Sequence, residues 1–71
     1  LSRVRKGYVL RYADGCFFIE EAPYKVSQLG DAEVYFKYFD LLEAQERVKR
    51  QTGESAEIAA VTFTIANTTF V

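Results

Sequence analysis

The chain has 71 residues, 49% hydrophobic, 15% aromatic and 27% charged, and nine bases against ten acids leave a net charge of −1. That size admits one domain, 1–71. The composition is too apolar for a disordered chain, and no run of roughly 18 uncharged apolar residues is present to span a membrane. The single cysteine, Cys16, excludes an internal disulfide scaffold, and with no histidine the usual zinc sites and histidine-based triads cannot be assembled.

Val4–Tyr12 alternates, with Tyr8, Leu10 and Tyr12 on one side and Gly7, Val9 and Arg11 on the other, the period of a strand. Asp14-Gly15 follows, a dipeptide suited to a type I′ hairpin. Cys16–Glu20 is then the return strand. A two-residue turn sets Tyr12 opposite Phe17, Arg11 opposite Phe18 and Leu10 opposite Ile19. This register gathers Tyr8, Leu10, Tyr12, Phe17 and Ile19 on an apolar face, and leaves Arg5, Val9, Arg11, Cys16, Phe18 and Glu20 on the other.

Glu21–Gly30 holds the only proline, Pro23, and is read as a loop with one helical turn near Ser27–Leu29. In Glu33–Phe39, Val34, Phe36 and Tyr38 alternate with Glu33, Tyr35 and Lys37, which suits a third strand; a helix starting near Asp31 is the alternative. The helix that follows is marked by Asp40 as N-cap, with Glu43 at the capping-box spacing. Glu43 with Arg47 and Glu46 with Arg50 are i,i+4 pairs in the favourable order. Leu41, Ala44, Gln45 and Val48 form its buried stripe, Leu42 its shoulder, and Gly53 its C-terminal stop. Ile58–Val71 is a long final strand, with Ala59, Val61, Phe63 and Ile65 on one face and Ala60, Thr62, Thr64 and Ala66 on the other. The expected fold is α+β, a small antiparallel β-sheet (hairpin, third strand, long final strand) packed on one α-helix.

Little in the chain resembles catalytic apparatus. Glu20 and Glu21 point to opposite faces of a strand and cannot form a close dyad. Cys16 lacks a histidine base to lower its pKa. Asp14, Asp31 and Asp40 are turn and cap residues, and the four glycines are scattered, so neither an oxygen-ligand loop nor a phosphate cradle is formed. A non-enzymatic protein is expected, with no cofactor and no metal. Leu1–Leu10 has three bases and no apolar h-region, so no secretory signal is expected, and with no Met the first residue is expected to follow a trimmed start. The lone thiol fits a cytoplasmic compartment. The Asn67-Thr68-Thr69 sequon is read as a chance match.

Two binding surfaces stand out. Arg3, Arg5, Lys6 and Arg11 precede the first acid, Asp14, giving a segment of charge +4, while the five other bases and ten acids give −5. Arg11 opposite Phe18, extended by Arg5, Lys6 and Val9, is a cation–π-capable face that nucleic acid could occupy; the isoelectric point near 5.3 makes this the alternative. The stronger expectation is a protein partner. Tyr24, Tyr35, Tyr38 and Phe39 exceed what one helix and one sheet face can bury, and surplus aromatics and arginines are interface residues. The candidate partner-binding set is Arg5, Arg11, Phe18, Tyr24, Tyr35 and Tyr38. Phe18→Ala or Tyr35→Ala is then expected to weaken binding with little loss of stability. The last strand, if it lies at a sheet edge, is a route to a homodimer.

Gly7-Tyr8-Val9-Leu10-Arg11-Tyr12, then Asp14-Gly15-Cys16-Phe17-Phe18, then Gly30-Asp31-Ala32-Glu33-Val34-Tyr35-Phe36, then Asp40-Leu41-Leu42-Glu43-Ala44 and a final strand form a pattern over roughly Gly7–Ile65. It resembles small phage- and prophage-encoded accessory proteins, the anti-CRISPR-like host-takeover inhibitors. The resemblance implies an inhibitor that acts in the host cytoplasm by blocking a surface of a host defence protein. It carries no catalytic residue. The chain lacks the strongly acidic surface of inhibitors that mimic DNA.

Overall fold

A computed structural model describes residues 2–66, with side chains described over 4–63; the sequon at 67–69 and the end of the expected final strand lie outside the described residues. Two long strands, β1 (Ser2–Tyr12) and β2 (Ala56–Ala66), form an antiparallel ribbon, and one helix, α1 (Tyr38–Thr52), packs on it. The register sets Tyr8 against Ala60, Leu10 against Ile58 and Tyr12 against Ala56. These residues share a face because strand side chains alternate. Leu10, Tyr12 and Ala56 join Phe18 and the helix residues Leu41, Ala44 and Val48 in one buried core. The α+β class and antiparallel pairing expected from the sequence are present.

Cys16–Glu20, expected as the return strand, forms no strand and meets β1 only at a single bridge, Arg11 to Phe17, and its turn takes a different register. The Tyr12 amide donates to the Cys16 carbonyl (2.8 Å), the Gly15 amide to the Tyr12 carbonyl (3.0 Å) and the Phe18 amide to the Leu10 carbonyl (2.9 Å). The loop is therefore Ala13-Asp14-Gly15, with Gly15 alone at positive φ (90°) in this turn. This is the three-residue loop in which a left-handed glycine follows a type I turn, rather than type I′, which needs two positive φ angles. The Asp14 carboxylate stabilises it by accepting the Cys16 amide at 2.9 Å. A shift of one residue moves every return-strand side chain to the other face. Arg11 faces Phe17 instead of Phe18. Phe18 enters the core, while Phe17 and Ile19 are only half-buried.

No strand forms over 33–39. Tyr35 exchanges both backbone bonds with Tyr8, each 2.8 Å, but the contact remains a single bridge. The expected turn near Ser27–Leu29 is a 3-10 turn over Leu29–Asp31, and the helix begins at Tyr38, so neither the strand nor a helix from Asp31 is correct. Val34 and Phe36 pass under the ribbon, on the side away from α1. A Cβ added to Gly7 would lie 2.8 Å from the Val34 side chain, 3.2 Å from that of Phe36 and 3.3 Å from that of Phe63. Val9, on the same side as Gly7, is fully buried. The middle of β1 is thus enclosed on both faces, which explains how one helix sufficed.

The helix has its buried stripe at Leu41, Ala44 and Val48, and Gly53 ends it in the left-handed conformation at φ 76°, as expected. Its start is different. Lys37 is the N-cap and makes no side-chain capping bond, and Asp40 sits inside the first turn, where its charge still favours the helix dipole. Arg47 pairs with Glu20 rather than with Glu43. The 15-residue helix is roughly 22 Å long, and the 11-residue strands reach roughly 36 Å. The helix cannot cover the ribbon, and the molecule is elongated at 46 × 23 × 21 Å.

Candidate protein-binding surface

The exposed rings gather where the chain enters α1. Alternation through the Tyr8–Tyr35 bridge turns Tyr35 toward the helix side and Phe36 toward the opposite side. Phe36 stays 48% exposed, with its ring 6.3 Å from that of Phe63 and the Arg5 guanidinium 4.0 Å above it. One turn of helix then carries Tyr38 and Phe39. Phe39 precedes the buried Leu41 by two positions, about 200° around the helix axis, and is 71% exposed. Tyr38 is 57% exposed and meets Tyr8 edge-to-face, with centroids 6.2 Å apart. Leu42 continues the exposed apolar surface along the helix. The sequence signal for Phe39 and Leu42 was available: a helical wheel started at Tyr38 rather than Asp40 places both off the buried stripe.

Two polar clusters tie the loops to α1 and to its C-terminal end. The Tyr35 hydroxyl donates to the Glu20 carboxylate, which also accepts from Arg47 at 2.6 Å. Burial, then the bond to Glu20, raises the Tyr35 hydroxyl well above the usual tyrosine range. Partial burial opposes ionisation of Glu20, but the bonds from Arg47 and Tyr35 outweigh it and hold the carboxyl low. In the second cluster, Lys25 bridges Asp14 (2.8 Å) and Glu54 (3.2 Å) and lies 4.5 Å above the Tyr12 ring. The bond to Asp14 raises Lys25 to about 12, and the same bond lowers Asp14 to about 2. These ties fasten the hairpin turn and the loop to the end of α1.

The six residues singled out in the sequence do not form one site. Arg5 lies over the exposed Phe36 on the face away from α1, and Tyr38 is exposed on the helix side against Tyr8. Arg11 is exposed beside Phe17 at the other end of β1. Tyr35 is half-buried in the Glu20–Arg47 cluster. Tyr24 is half-buried; its backbone takes the left-handed conformation at φ 66°, and its carbonyl accepts the Tyr12 hydroxyl at 2.7 Å. Phe18 is 0% exposed and is corrected here from a contact residue to a core residue, because the one-residue shift of the hairpin turns it inward.

Cys16 is half-buried and unpaired by disulfide. Burial and the bonded Asp14 carboxylate raise its thiol pKa, the opposite of nucleophile activation. Among the described residues, no group of three or more acids or cysteines is placed to hold a metal ion, and no helix is long and apolar enough to cross a membrane. The chain matches no family model, no curated relative and no solved structure.

Proposed function

We propose that this chain is a non-enzymatic protein-binding module that blocks a surface of its partner. The observation that supports it is the run of exposed rings at Phe36, Tyr38 and Phe39, with Arg5 stacked on Phe36. Exposed aromatic and arginine side chains on a braced scaffold are the usual composition of an interaction hot spot. The resemblance in sequence to phage-encoded inhibitors gives the partner class: a protein of the host's cytoplasmic defence machinery.

The test compares Phe39→Ala and Tyr38→Ala with wild type, as immobilised baits in a host lysate. Each variant is expected to lose roughly tenfold or more in capture of the specific partner, the weight of a hot-spot ring, while its melting temperature stays near that of wild type. Equal capture by all three baits overturns the proposal. The basic strand supports a second reading, single-stranded nucleic acid, through Arg5 and Phe36. That reading requires binding that falls steeply with salt, and a fluorescence titration at low salt decides it.

A further inference from the structure

The backbone bonds of β1 show which groups of β2 are free. Tyr8, Leu10 and Tyr12 direct their backbone groups away from β2, toward Tyr35, Phe18 and Cys16. The alternate residues Arg5, Gly7, Val9 and Arg11 therefore bond β2, through their register partners Phe63, Val61, Ala59 and Glu57. The N–H and C=O groups of Ile58, Ala60, Thr62, Thr64 and Ala66 point to the outer edge. Among the described residues nothing pairs with that edge: the sheet has two strands, and every isolated bridge lies on the other side of β1. Only the Ala56 carbonyl is occupied, by the Gln45 amide at 2.8 Å.

This edge lacks the usual protection. Ala56–Ala66 contains no proline and no lysine, and its one charge is Glu57, whereas exposed edges are normally shielded by such residues or by bulges. We infer that β2 pairs antiparallel with β2 of a second copy, over Ile58–Ala66 and centred on Thr62, joining two ribbons into one four-stranded sheet.

Three features favour a second copy over another extended peptide. Antiparallel self-pairing is self-complementary, so each outward donor meets an outward acceptor of the same row. The same register sets Val61 opposite Phe63 and Thr62 opposite Thr62 of the other copy, so apolar and hydroxyl side chains meet across the seam with no like charges facing. Finally, a two-fold axis normal to the sheet puts both helices on one face. A groove of about 430 Å³ lined by Leu42, Gln45, Glu46, Lys49, Ser55 and Ala56 then flanks each end of the seam.

Sedimentation of the full chain, up to about 1 mM to cover weak association, is expected to show a concentration-dependent dimer. Thr62→Pro removes only an outward N–H, which an edge strand tolerates. It is expected to raise the dimer dissociation constant at least about tenfold, with the monomer fold retained by circular dichroism. Ala60→Lys, which adds an edge charge without altering the backbone, is expected to act in the same direction and decides the matter if Thr62→Pro does not fold. Amide exchange at Ala60 and Thr62 should slow as concentration rises. A wild type that stays monomeric throughout overturns the inference, as does a dimer undiminished in the folded edge variants. The partner-capture test fails separately, because Phe39 and Tyr38 lie outside this edge.

Discussion

Phe17 and Phe18 are adjacent and chemically identical, yet the fold assigns them opposite roles. Phe18 is enclosed with Leu10, Leu41 and Val48, so Phe18→Ala should cost roughly 3–5 kcal/mol. The half-buried Phe17 should cost roughly half as much or less when truncated, because less apolar area returns to water. A pair of urea denaturation curves checks the difference; equal losses would mean that the hairpin pairs in the other register. The Glu20–Tyr35–Arg47 cluster adds a pH signature. Glu20 has a lowered folded pKa, so its contribution is present above the unfolded value near 4.3 and is lost as pH falls through the folded value. Tyr35 has a raised folded pKa, so its contribution is present below the unfolded value near 10 and is lost as pH rises above it. Urea midpoints should therefore hold level between about pH 5 and pH 9 and fall on both sides. Tyr35→Phe should flatten part of the alkaline limb, to which Tyr12, Cys16 and Lys25 also contribute, and Glu20→Gln part of the acid limb, where Asp14 also contributes. Unchanged limbs in both variants would show that the cluster does not form in solution.

At the scale of elements, β1 is the organiser. It pairs along its whole length with β2, and its other edge receives Phe18 and Tyr35 as single contacts. Its two faces are closed by α1 on one side and by Val34 and Phe36 on the other. Gly7 is where the second closure is tightest, since an added Cβ would meet Val34 at 2.8 Å. Overpacking costs about 1–3 kcal/mol, whereas replacing glycine within a strand recovers about 0.5–1 kcal/mol. Gly7→Ala should therefore destabilise by on the order of 1 kcal/mol, read as a lower urea midpoint; a stabilised variant would show that residues 34–36 do not lie against β1. The helix start illustrates competition between local and tertiary terms. Asp40 and Glu43 have the spacing of a capping box, but Tyr38 and Phe39 are drawn into the first turn, where Tyr38 meets Tyr8. Likewise Arg47 leaves its helical neighbour Glu43 for Glu20, which Tyr35 has already positioned.

The whole molecule is a long ribbon only partly clothed by a short helix. A domain of this size has roughly 4–10 kcal/mol of stability, so loss of the Phe18 ring alone should bring it close to unfolding, whereas loss of the exposed Phe39 ring should be nearly neutral. That contrast separates scaffold from binding surface. The helix stripe, its glycine stop, the strand alternation of β1 and β2 and the α+β class were legible in the sequence, because each depends on a period or a turn residue within a few neighbours. The surplus of rings was legible as well, since it follows from composition and size. Other features were settled only in three dimensions. The hairpin register depended on whether Gly15 alone or Asp14 with it took positive φ, and Asp14-Gly15 accommodates either. The partner of β1 is 44 to 64 residues distant along the chain, beyond any local signal. Which rings were left outside depended on where the helix began and on residues 34–36 passing beneath the ribbon. Short-range chemistry thus determined what the elements are; long-range packing decided which face of each is hidden, because burial is shared among segments that meet only in the folded chain.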